Sequence, residues 1–267
     1  MPVPRAYPMT VVRRLVGARR LGELVRAEPV LALVREIEGG TLLEAGSGAL
    51  GIADLLDDRW QVTAVDRAFD DDGAWVRPPA TRARRVVADV GALPFPDGAF
   101  DVVVAIDLLD RLPQSRRGVA LRELGRVARR RVIVSSPAGP AALAADERLL
   151  ASLRRPPGWL VARVGAGLPY PADLEVPLRA WGLVRSFPSG SPDAHVRLAR
   201  RELRARWAVP TRLAARVLER GLREDRPWAR RALRRLRGGD RPPGYRTVVV
   251  AEIAASRWAS SSSVSAA

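Results

Sequence analysis

The chain has 267 residues, of which 47% are hydrophobic and 28% charged, and its formal net charge is +16. These values indicate a soluble chain with a real core, either one large α/β domain with additions or two small domains. The absence of cysteine excludes disulfides, thiolate metal sites and a cysteine nucleophile, and we predict no metal site of another kind. Because neither a signal-peptide pattern nor an apolar run of about 18 residues occurs, we expect a cytoplasmic protein.

The positive charge is concentrated in one part of the chain. All 45 basic residues are Arg, which we interpret partly as a coding bias, but residues 195–246 alone contain 17 Arg against 5 acidic residues. A surface for anionic partners concentrates charge in this way. Residues 195–237 are therefore a predicted contact surface for an anionic membrane or nucleic acid. The alternative is that their apolar stripes pack on the domain while the Arg side chains face solvent.

The first elements in chain order are a helix and a strand with a glycine turn. Residues 11–37 are predicted to be helical, with Pro29 kinking or dividing the helix. A short apolar run from Thr41 then reaches an acid, Glu44, and glycines follow at positions 46, 48 and 51. Apolar residues at helical spacing come next. This pattern predicts a buried strand, a tight turn and the first turns of a helix.

Strands and helices then alternate. Strands are predicted at residues 61–65, 84–88, 101–106 and 131–135, with an amphipathic helix at 114–128, which is the spacing of βαβ units in a parallel sheet. Helices near 141–154 and 172–181 lie in a less regular stretch. A strand at 183–187, three basic amphipathic helices and a last strand at 245–253 complete the pattern.

This pattern divides the chain into five parts. They are an N-terminal helical segment (1–40), an α/β core (41–188) with a lid-like insertion (137–180), an Arg-rich helical insertion (189–244), a final core strand (245–255) and a Ser-rich tail (256–267). We expect the tail to be disordered.

The glycine pattern by itself leaves several functions open. Gly46, Gly48 and Gly51 match G-x-G-x-x-G, which is compatible with NAD(P) binding, S-adenosylmethionine binding or an unoccupied turn. Asp66 follows the second strand, 22 residues after Glu44. An acid at this place binds the ribose of a nucleotide in doubly wound folds. A nucleotide-derived ligand is thus predicted at this edge of the sheet.

An ordered set of motifs extends beyond the glycines. Glu44-x-Gly46-x-Gly48 is followed by Asp66, by Ala88-Asp89 and by the run L-P-F-P-D-G-A-F-D-V-V-V-A-I-D-L-L-D-R-L-P at residues 93–113. Residues 42–136 thereby resemble the class I S-adenosylmethionine-dependent methyltransferases, in particular the branch with small-molecule, lipid or sugar substrates. The resemblance implies a Rossmann-like, doubly wound sheet of seven strands, the last antiparallel and inserted between its neighbours, with helical insertions.

The resemblance also implies a cofactor site for S-adenosyl-L-methionine. Its expected residues are Glu44, Gly46, Ser47 and Gly48 at the methionine moiety, Gly51 in the same loop, Asp66 with Arg67 at the ribose, Asp89 and Val90 at the adenine, and Ile106 with Asp107 facing the methyl group. The chemistry agrees with this cofactor. S-adenosylmethionine carries a sulfonium, an ammonium group, a ribose diol and an amine-bearing base, all of which suit a site lined by carboxylates, whereas the pyrophosphate of a dinucleotide would need a basic site.

Three departures from the family pattern bear on function. The usual third glycine is replaced by Leu50, with Gly51 one residue further on. Arg111 stands where a histidine is frequent after the fourth strand. No Asn-Pro-Pro-Tyr-type motif follows that strand, which argues against methylation of exocyclic adenine nitrogens in nucleic acid.

Three residues are candidates for a base if the acceptor must lose a proton. They are Asp107, Asp110 and His195, the only histidine of the chain. Each has a structural alternative: Asp107 caps the following helix, Asp110 pairs with an Arg at the surface, and His195 is solvated at the head of a basic helix.

The predicted function is methyl transfer from S-adenosylmethionine to an O, N or C acceptor. The acceptor is a small molecule or an anionic or lipid-linked substrate, and peripheral membrane association remains an option. Two alternatives remain open: an NAD(P)-dependent oxidoreductase, favoured by the glycine pattern, and a catalytically silent module that binds nucleic acid or membrane. The oligomeric state is not predicted.

Overall fold

Seven strands form one mixed sheet. In the computed structural model, which describes residues 20–69, 81–203 and 208–259, the strand order is β3-β2-β1-β4-β5-β7-β6. The strands are β1 (Gly40–Ala45), β2 (Trp60–Asp66), β3 (Arg84–Val87), β4 (Phe100–Ile106), β5 (Ala128–Pro137), β6 (Gly182–Ser189) and β7 (Arg246–Ile253). Strands β1 to β5 pair in parallel, and β7 runs antiparallel between β5 and β6. The predicted seven-stranded sheet with its last strand antiparallel is confirmed.

Helices lie on both faces of this sheet. Within the described part of the chain they are α1 (Leu21–Val34), α2 (Gln114–Val127), α3 (Pro140–Ala151), α4 (Gly158–Ala166), α5 (Pro171–Arg179), α6 (Pro192–Leu203), α7 (Ala208–Arg223), α8 (Pro227–Arg237) and α9 (Ser256–Ala259). Single 3₁₀ turns occur at Ala53–Leu55 and Leu109–Arg111. None of these helices is long and apolar enough to cross a bilayer.

Strand β4 forms the middle of the sheet, because from Val102 to Ile106 its side chains are apolar on both faces. All residues from Phe100 to Ala105 are buried, as expected for a parallel strand covered by helices on each side. Val102 and Val103 pair with Leu42 and Leu43 of β1. The carboxyl ends of β1 and β4 are therefore adjacent at one edge of the sheet.

The Arg-rich helices cover one face of the sheet together with α1. Leu218 and Leu222 of α7 and Ala229 and Leu233 of α8 belong to the same buried cluster as the inner residues of α1 and of the central strands. Their apolar sides thus contribute to the main core. Helix α1, which precedes the first strand, and helices α7 and α8, which follow the sixth, therefore meet on this face.

The opposite face is covered by α2 and α5. Leu121 and Leu124 of α2 and Leu174 of α5 pack in a second buried cluster with the alternate strand residues. Helix α2 approaches its neighbour closely, because a Cβ atom added to Gly125 would lie 2.4 Å from the indole of Trp181. A glycine is required at this point of the helix by packing.

A third cluster stands beside the carboxyl edge of the sheet. Helices α3, α4 and α6 contribute Leu149, Leu160 and Val196, which pack with Tyr245 immediately before β7. This small core holds α3, α4 and α6 against one another.

The structure differs from the sequence-based expectations in four elements. The predicted helix after the glycine turn is only the 3₁₀ turn Ala53–Leu55, because the chain turns again at once, with Trp60 N donating to Asp57 O, to enter β2. Helix α1 runs through Pro29 as a single element. Helix α4 was not predicted from the sequence. Residues 256–259, which were expected to belong to a disordered tail, form the short helix α9. The rest of that tail, residues 1–19 of the N-terminal segment and residues 204–207 of the Arg-rich insertion lie outside the described residues.

Candidate active site

The glycine turn after β1 is shaped by backbone angles that favour glycine. Gly46, Gly48 and Gly51 all have positive φ, of +71°, +58° and +52°. A Cβ atom added to Gly51 would lie 2.5 Å from Oε2 of Glu44, whereas one added to Gly48 would meet no atom within 4 Å. Gly51 is therefore packed against Glu44, and Gly48 faces open space.

A cavity of about 270 Å³ opens in front of this turn. We call it the glycine-loop cavity. It lies at the carboxyl ends of the parallel strands, where ligands bind in open α/β sheets. The predicted site residues that line it are Gly46, Gly48, Asp66, Arg67, Asp89, Val90 and Asp107, and Arg111 and Arg116 line it as well. Tertiary structure thus brings together seven residues from four separate stretches of sequence.

Two carboxylates stand on the wall of the glycine-loop cavity. Asp66 accepts hydrogen bonds from the backbone N–H of Gly48 at 2.8 Å and of Arg67 at 2.7 Å. Oδ1 of Asp89 accepts from Gly91 N at 2.8 Å and from Arg116 Nη2 at 2.6 Å. The Arg116 guanidinium and the Gly91 N–H lower the pKa of Asp89. This carboxyl group is therefore ionised at neutral pH.

Four of the predicted cofactor residues do not line this cavity. Glu44 is 3% exposed and accepts a hydrogen bond from Ile52 N at 2.7 Å, and Gly51 packs against it. The Ser47 hydroxyl donates to Gly48 O at 3.3 Å. Ile106 ends β4 and packs against the main core. In this structure they support the turn, and a direct cofactor contact by any of them stays a prediction.

A second cavity of about 380 Å³ adjoins the first and shares Asp107 and Arg111 with it. We call it the arginine cavity. Six arginines line it, together with three carboxylates and His195; the arginines are Arg20, Arg26, Arg111, Arg163, Arg237 and Arg246, and the acids are Glu23, Asp107 and Glu202. The positive side chains outnumber the negative ones, so the cavity is suited to an anionic ligand.

Asp107 lies at the boundary of the two cavities. It has a positive φ of +55°, a conformation that is uncommon outside glycine and that clusters at functional sites. Its carboxylate pairs with Arg26 at 3.1 Å and with Arg246. Burial would raise the pKa of Asp107, but the two guanidinium groups hold that pKa well below its usual range. It caps no helix, since the turn that follows has no side-chain cap.

Asp110 and His195 are both less exposed than a surface ion pair and a solvated histidine would be. Asp110 is 1% exposed and lies 3.4 Å from Arg163 Nη1, and burial together with the charge of Asp107 raises the pKa of Asp110. The His195 ring stacks on Tyr245 with centroids 3.6 Å apart, and Nε2 lies 3.2 Å from Asp146 Oδ1. Asp110 is thus not at the surface, and His195 is not a solvated residue.

Three further residues near the site, Asp146, Arg163 and Tyr245, were not predicted from the sequence. Asp146 is fully buried and accepts hydrogen bonds from Tyr245 Oη at 2.8 Å and from Arg163 Nη2 at 3.0 Å. A signal existed, because Asp146 falls on the apolar side of α3, among Ala142, Ala145 and Leu149. A charged residue on a buried helix face indicates a buried partner, although the sequence does not say which one.

Comparison with known proteins agrees with this geometry. Residues 43–135 match a family model described as "Methyltransferase domain", which spans the stretch from β1 into β5 and confirms the methyltransferase domain predicted from the sequence. A comparison with functionally curated proteins finds no match to the chain.

Similar solved structures include several methyltransferases. A putative methyltransferase from an antibiotic biosynthesis pathway of Anabaena variabilis is 16% identical, with a TM-score of 0.51, and the match covers 88% of this chain and 98% of that one. Magnesium protoporphyrin IX methyltransferase of Synechocystis PCC 6803, with bound SAH, is 15% identical, with a TM-score of 0.44 and coverage of 67% and 87%. A putative methyltransferase in complex with the Trm112 activator of Haloferax volcanii is 13% identical, with a TM-score of 0.47 and coverage of 87% and 90%. At this identity the Anabaena protein shows a shared fold.

Proposed function

We propose that this chain, a class I S-adenosylmethionine-dependent methyltransferase, transfers the methyl group to an anionic small-molecule acceptor held in the arginine cavity. The observation that carries the proposal is the common wall of the two cavities, formed by Asp107 and Arg111. A donor bound in the glycine-loop cavity and an acceptor bound in the arginine cavity would meet at this wall. The methyltransferase domain decides against the oxidoreductase that the glycine pattern left open.

The residues of the glycine-loop cavity fit S-adenosylmethionine. The open space at Gly48 lets a ligand approach the backbone closely. The Asp66 carboxylate can accept hydrogen bonds from the ribose hydroxyls. Oδ2 of Asp89 has no hydrogen bond from any described residue, since Oδ1 takes both contacts, and it is available to the adenine amino group. The single 3₁₀ turn after the glycines offers no long helix dipole for a pyrophosphate.

When bound, S-adenosylmethionine supplies a methyl group on a sulfonium, whose sulfur leaves without help from an acid. The protein's task is therefore alignment, which can contribute up to about 7–11 kcal/mol in favourable cases. Asp107 serves this purpose by fixing Arg26 and Arg246 at the wall between the cavities. Its low pKa keeps it ionised, so these arginines stay in place at neutral pH.

The charge balance at the wall supports an anionic acceptor. Two guanidinium groups, Arg26 and Arg246, share the single carboxylate of Asp107. Arg111 is exposed and lies within ion-pairing distance of no carboxylate among the described residues. Arginine binds carboxylate and phosphate with paired N–H donors. An acceptor carrying either group would therefore be held next to the methyl donor.

The outer side of the Arg-rich helices supports a lipid-linked form of the acceptor. Leu213, Val217 and Trp228 are 52%, 61% and 45% exposed on α7 and α8. Exposed apolar side chains among arginines are typical of surfaces that lie at anionic lipid headgroups. Such contact would place a lipid-linked acceptor at the membrane surface. Retention on vesicles of phosphatidylglycerol at low salt tests this form, and a protein that stays in the supernatant would refute it.

The donor site is tested first, by isothermal titration with S-adenosylhomocysteine, NAD and NADPH in parallel. We expect binding of the first ligand alone, and loss of that binding in Asp66→Ala. A surface variant, Asp193→Ala, serves as the matched control because Asp193 is exposed and pairs with Arg148 on the exterior. Retained affinity in Asp66→Ala would refute the ribose assignment, and nicotinamide-nucleotide binding would refute the donor site.

The acceptor site is tested with a panel of small acids. The probes are 4-hydroxybenzoate, 4-aminobenzoate and glycerol 3-phosphate, each supplied with S-adenosylmethionine and analysed by mass spectrometry for a methylated product. Neutral analogues, phenol, aniline and glycerol, are the controls. We expect methylation within the anionic set and a weakening of it in Arg111→Gln. Equal or better methylation of the neutral analogues would contradict an anionic acceptor.

A further inference from the structure

We propose that His195 is the general base of the reaction, and hence that the methylated atom is an oxygen or nitrogen that carries a proton. This inference rests on the proposed methyl transfer and narrows its acceptor to a hydroxyl, phenol or amine. The supporting observation is His195 in the wall of the arginine cavity, with the buried carboxylate of Asp146 behind it. The cofactor motifs say nothing about this pair.

The His195 ring is fixed from two sides. It stands in the first turn of α6 and stacks on the Tyr245 ring, at a centroid distance of 3.6 Å and an interplanar angle of 10°. Nε2 lies 3.2 Å from Oδ1 of Asp146, which is 0% exposed. The Tyr245 hydroxyl also donates to this Oδ1, at 2.8 Å. The ring is therefore held in one orientation at the cavity wall.

The position of Asp146 selects the protonation state of the ring. A carboxylate beside Nε2 favours the tautomer in which Nε2 carries the hydrogen, which leaves the lone pair on Nδ1. Nε2 is buried and faces Oδ1 of Asp146 at 3.2 Å without meeting hydrogen-bond geometry, so the carboxylate acts on it through its charge. No described residue forms a hydrogen bond with Nδ1. Because the ring lines the arginine cavity, Nδ1 is the nitrogen available to a ligand there.

The charged groups around the ring keep it neutral before it accepts a proton. They come from each element packed against it: Asp146 of α3, Arg163 of α4, and Tyr245 with Arg246 at the start of β7. Burial lowers the pKa of His195, Asp146 opposes this shift, and the charges of Arg163 and Arg246 add to the lowering. A neutral imidazole at pH 7 can act as a base.

The other two candidates are less suited to this role. Asp107 is held ionised by Arg26 and Arg246 and has a low pKa, so it is a weak base. Asp110 is 1% exposed, lies against Arg163, and lines neither cavity. Of the three candidates, only His195 both lines the arginine cavity away from the donor side and is neutral enough to accept a proton at pH 7.

The proton and electron balance of the step is simple. The acceptor's lone pair forms the new bond to the methyl carbon, and the bonding pair of the broken carbon–sulfur bond remains on the sulfur. The acceptor's proton moves to Nδ1 of His195, and its former bonding pair stays on the oxygen or nitrogen. Asp146 stabilises the resulting imidazolium, which then releases the proton to water.

The first test uses the chemistry of the ring and needs no acceptor. The chain has one histidine and neither cysteine nor lysine, so diethyl pyrocarbonate followed by peptide mass spectrometry reports on His195 almost alone. We expect the folded protein to be modified at His195, at a rate whose pH dependence gives a pKa below the usual value of about 6.5. Modification only after unfolding would overturn the proposal, since the nitrogen would then be out of reach.

The tautomer is tested by nitrogen NMR of the single histidine. We expect the Nε2–H form in the protein and a mixture of tautomers in Asp146→Asn, with Asp193→Asn, an exposed change on the same helix as His195, as the matched control. If the neutral ring of the wild-type protein carries its hydrogen on Nδ1, the proposal is overturned. This result does not depend on whether the variants fold.

The role in methyl transfer is tested with the best acceptor of the panel. His195→Gln should lower kcat about 100-fold or more, leave the affinity for S-adenosylhomocysteine unchanged, and remove the acid limb of the pH profile. Unchanged kcat would refute the base. Failure of the proposed function can be distinguished from failure of this inference. It would appear as an absence of S-adenosylhomocysteine binding, whereas the modification and NMR experiments on His195 would still report the state of the ring.

Discussion

The contact between Gly51 and Glu44 permits a sharp test of the glycine turn. Gly48→Ala and Gly51→Ala both place an alanine at positive φ, +58° and +52°, which costs about 1–2 kcal/mol in each case. Only Gly51→Ala also directs its Cβ to within 2.5 Å of Oε2 of Glu44. The same oxygen accepts the hydrogen bond from Ile52 N, so the methyl group must displace it.

The added cost follows from that hydrogen bond. A bond to a charged group contributes about 1.5–3 kcal/mol, so we expect Gly51→Ala to destabilise the protein by about 2.5–5 kcal/mol and Gly48→Ala by about 1–2 kcal/mol. For a domain of this size, the gap of about 1.5–3 kcal/mol between the two variants corresponds to about 3–12 °C in Tm. Urea and thermal unfolding followed by circular dichroism measure the difference.

Ligand binding should show the reverse order. Gly48 lines the glycine-loop cavity and Gly51 does not. Gly48→Ala should therefore weaken S-adenosylhomocysteine binding more than Gly51→Ala does, measured below the unfolding range of both variants. Equal destabilisation of the two variants would refute the packing argument, and stronger loss of binding in Gly51→Ala would refute the assignment of the cavity.

Three further results are expected from the packing and the charges. In α2, Gly125→Ala should destabilise by about 1–3 kcal/mol because it overpacks the neighbouring indole, whereas Gly118→Ala, whose nearest atom would lie at 3.5 Å, should stabilise by about 1 kcal/mol in urea unfolding. Asp107→Asn should cost about 3–5 kcal/mol, because it leaves the buried Arg246 without a counter-charge, and unfolding that stays near the wild-type midpoint would contradict the pairing. The unfolding free energy should fall as the pH is lowered from about 7.5 to 5.5. Because the pKa of His195 is lowered in the folded protein, the unfolded chain binds a proton there that the folded chain does not, and stability is lost as the pH falls through the pKa of the unfolded chain. An equally steep pH dependence in His195→Gln would refute this cause.

Much of the fold could be predicted because the relevant signals are local. Strand β4 is apolar on both faces from Val102 to Ile106, and such a continuous run is typical of a strand that helices cover on each side. The placement of β7 between β5 and β6 was implied by the resemblance of the motifs, and the pairing confirms it. The helix expected after the glycine turn was wrong, because apolar spacing does not reveal how soon the chain must turn back.

The donor side of the site was also accessible from the sequence. Gly48, Asp66 and Asp89 each follow a predicted strand, and the ends of parallel strands meet at one edge of the sheet. Their common cavity therefore follows once the strand order is known. Glu44 could not be placed in this way, since its side chain turns toward Ile52 N, a contact eight residues away whose geometry depends on the turn itself.

The sequence by itself determined the parallel core, the acidic and glycine residues at the strand ends, and the concentration of arginine before the last strand. Only the tertiary structure decided that the arginine-rich helices bury their apolar sides on the sheet, that a second cavity adjoins the first at Asp107, and that His195 lies beside Asp146. His195 and Asp146, for example, are 49 positions apart. Periodicity and short motifs report on neighbours along the chain, whereas burial and the pairing of buried charges depend on which elements finally pack together.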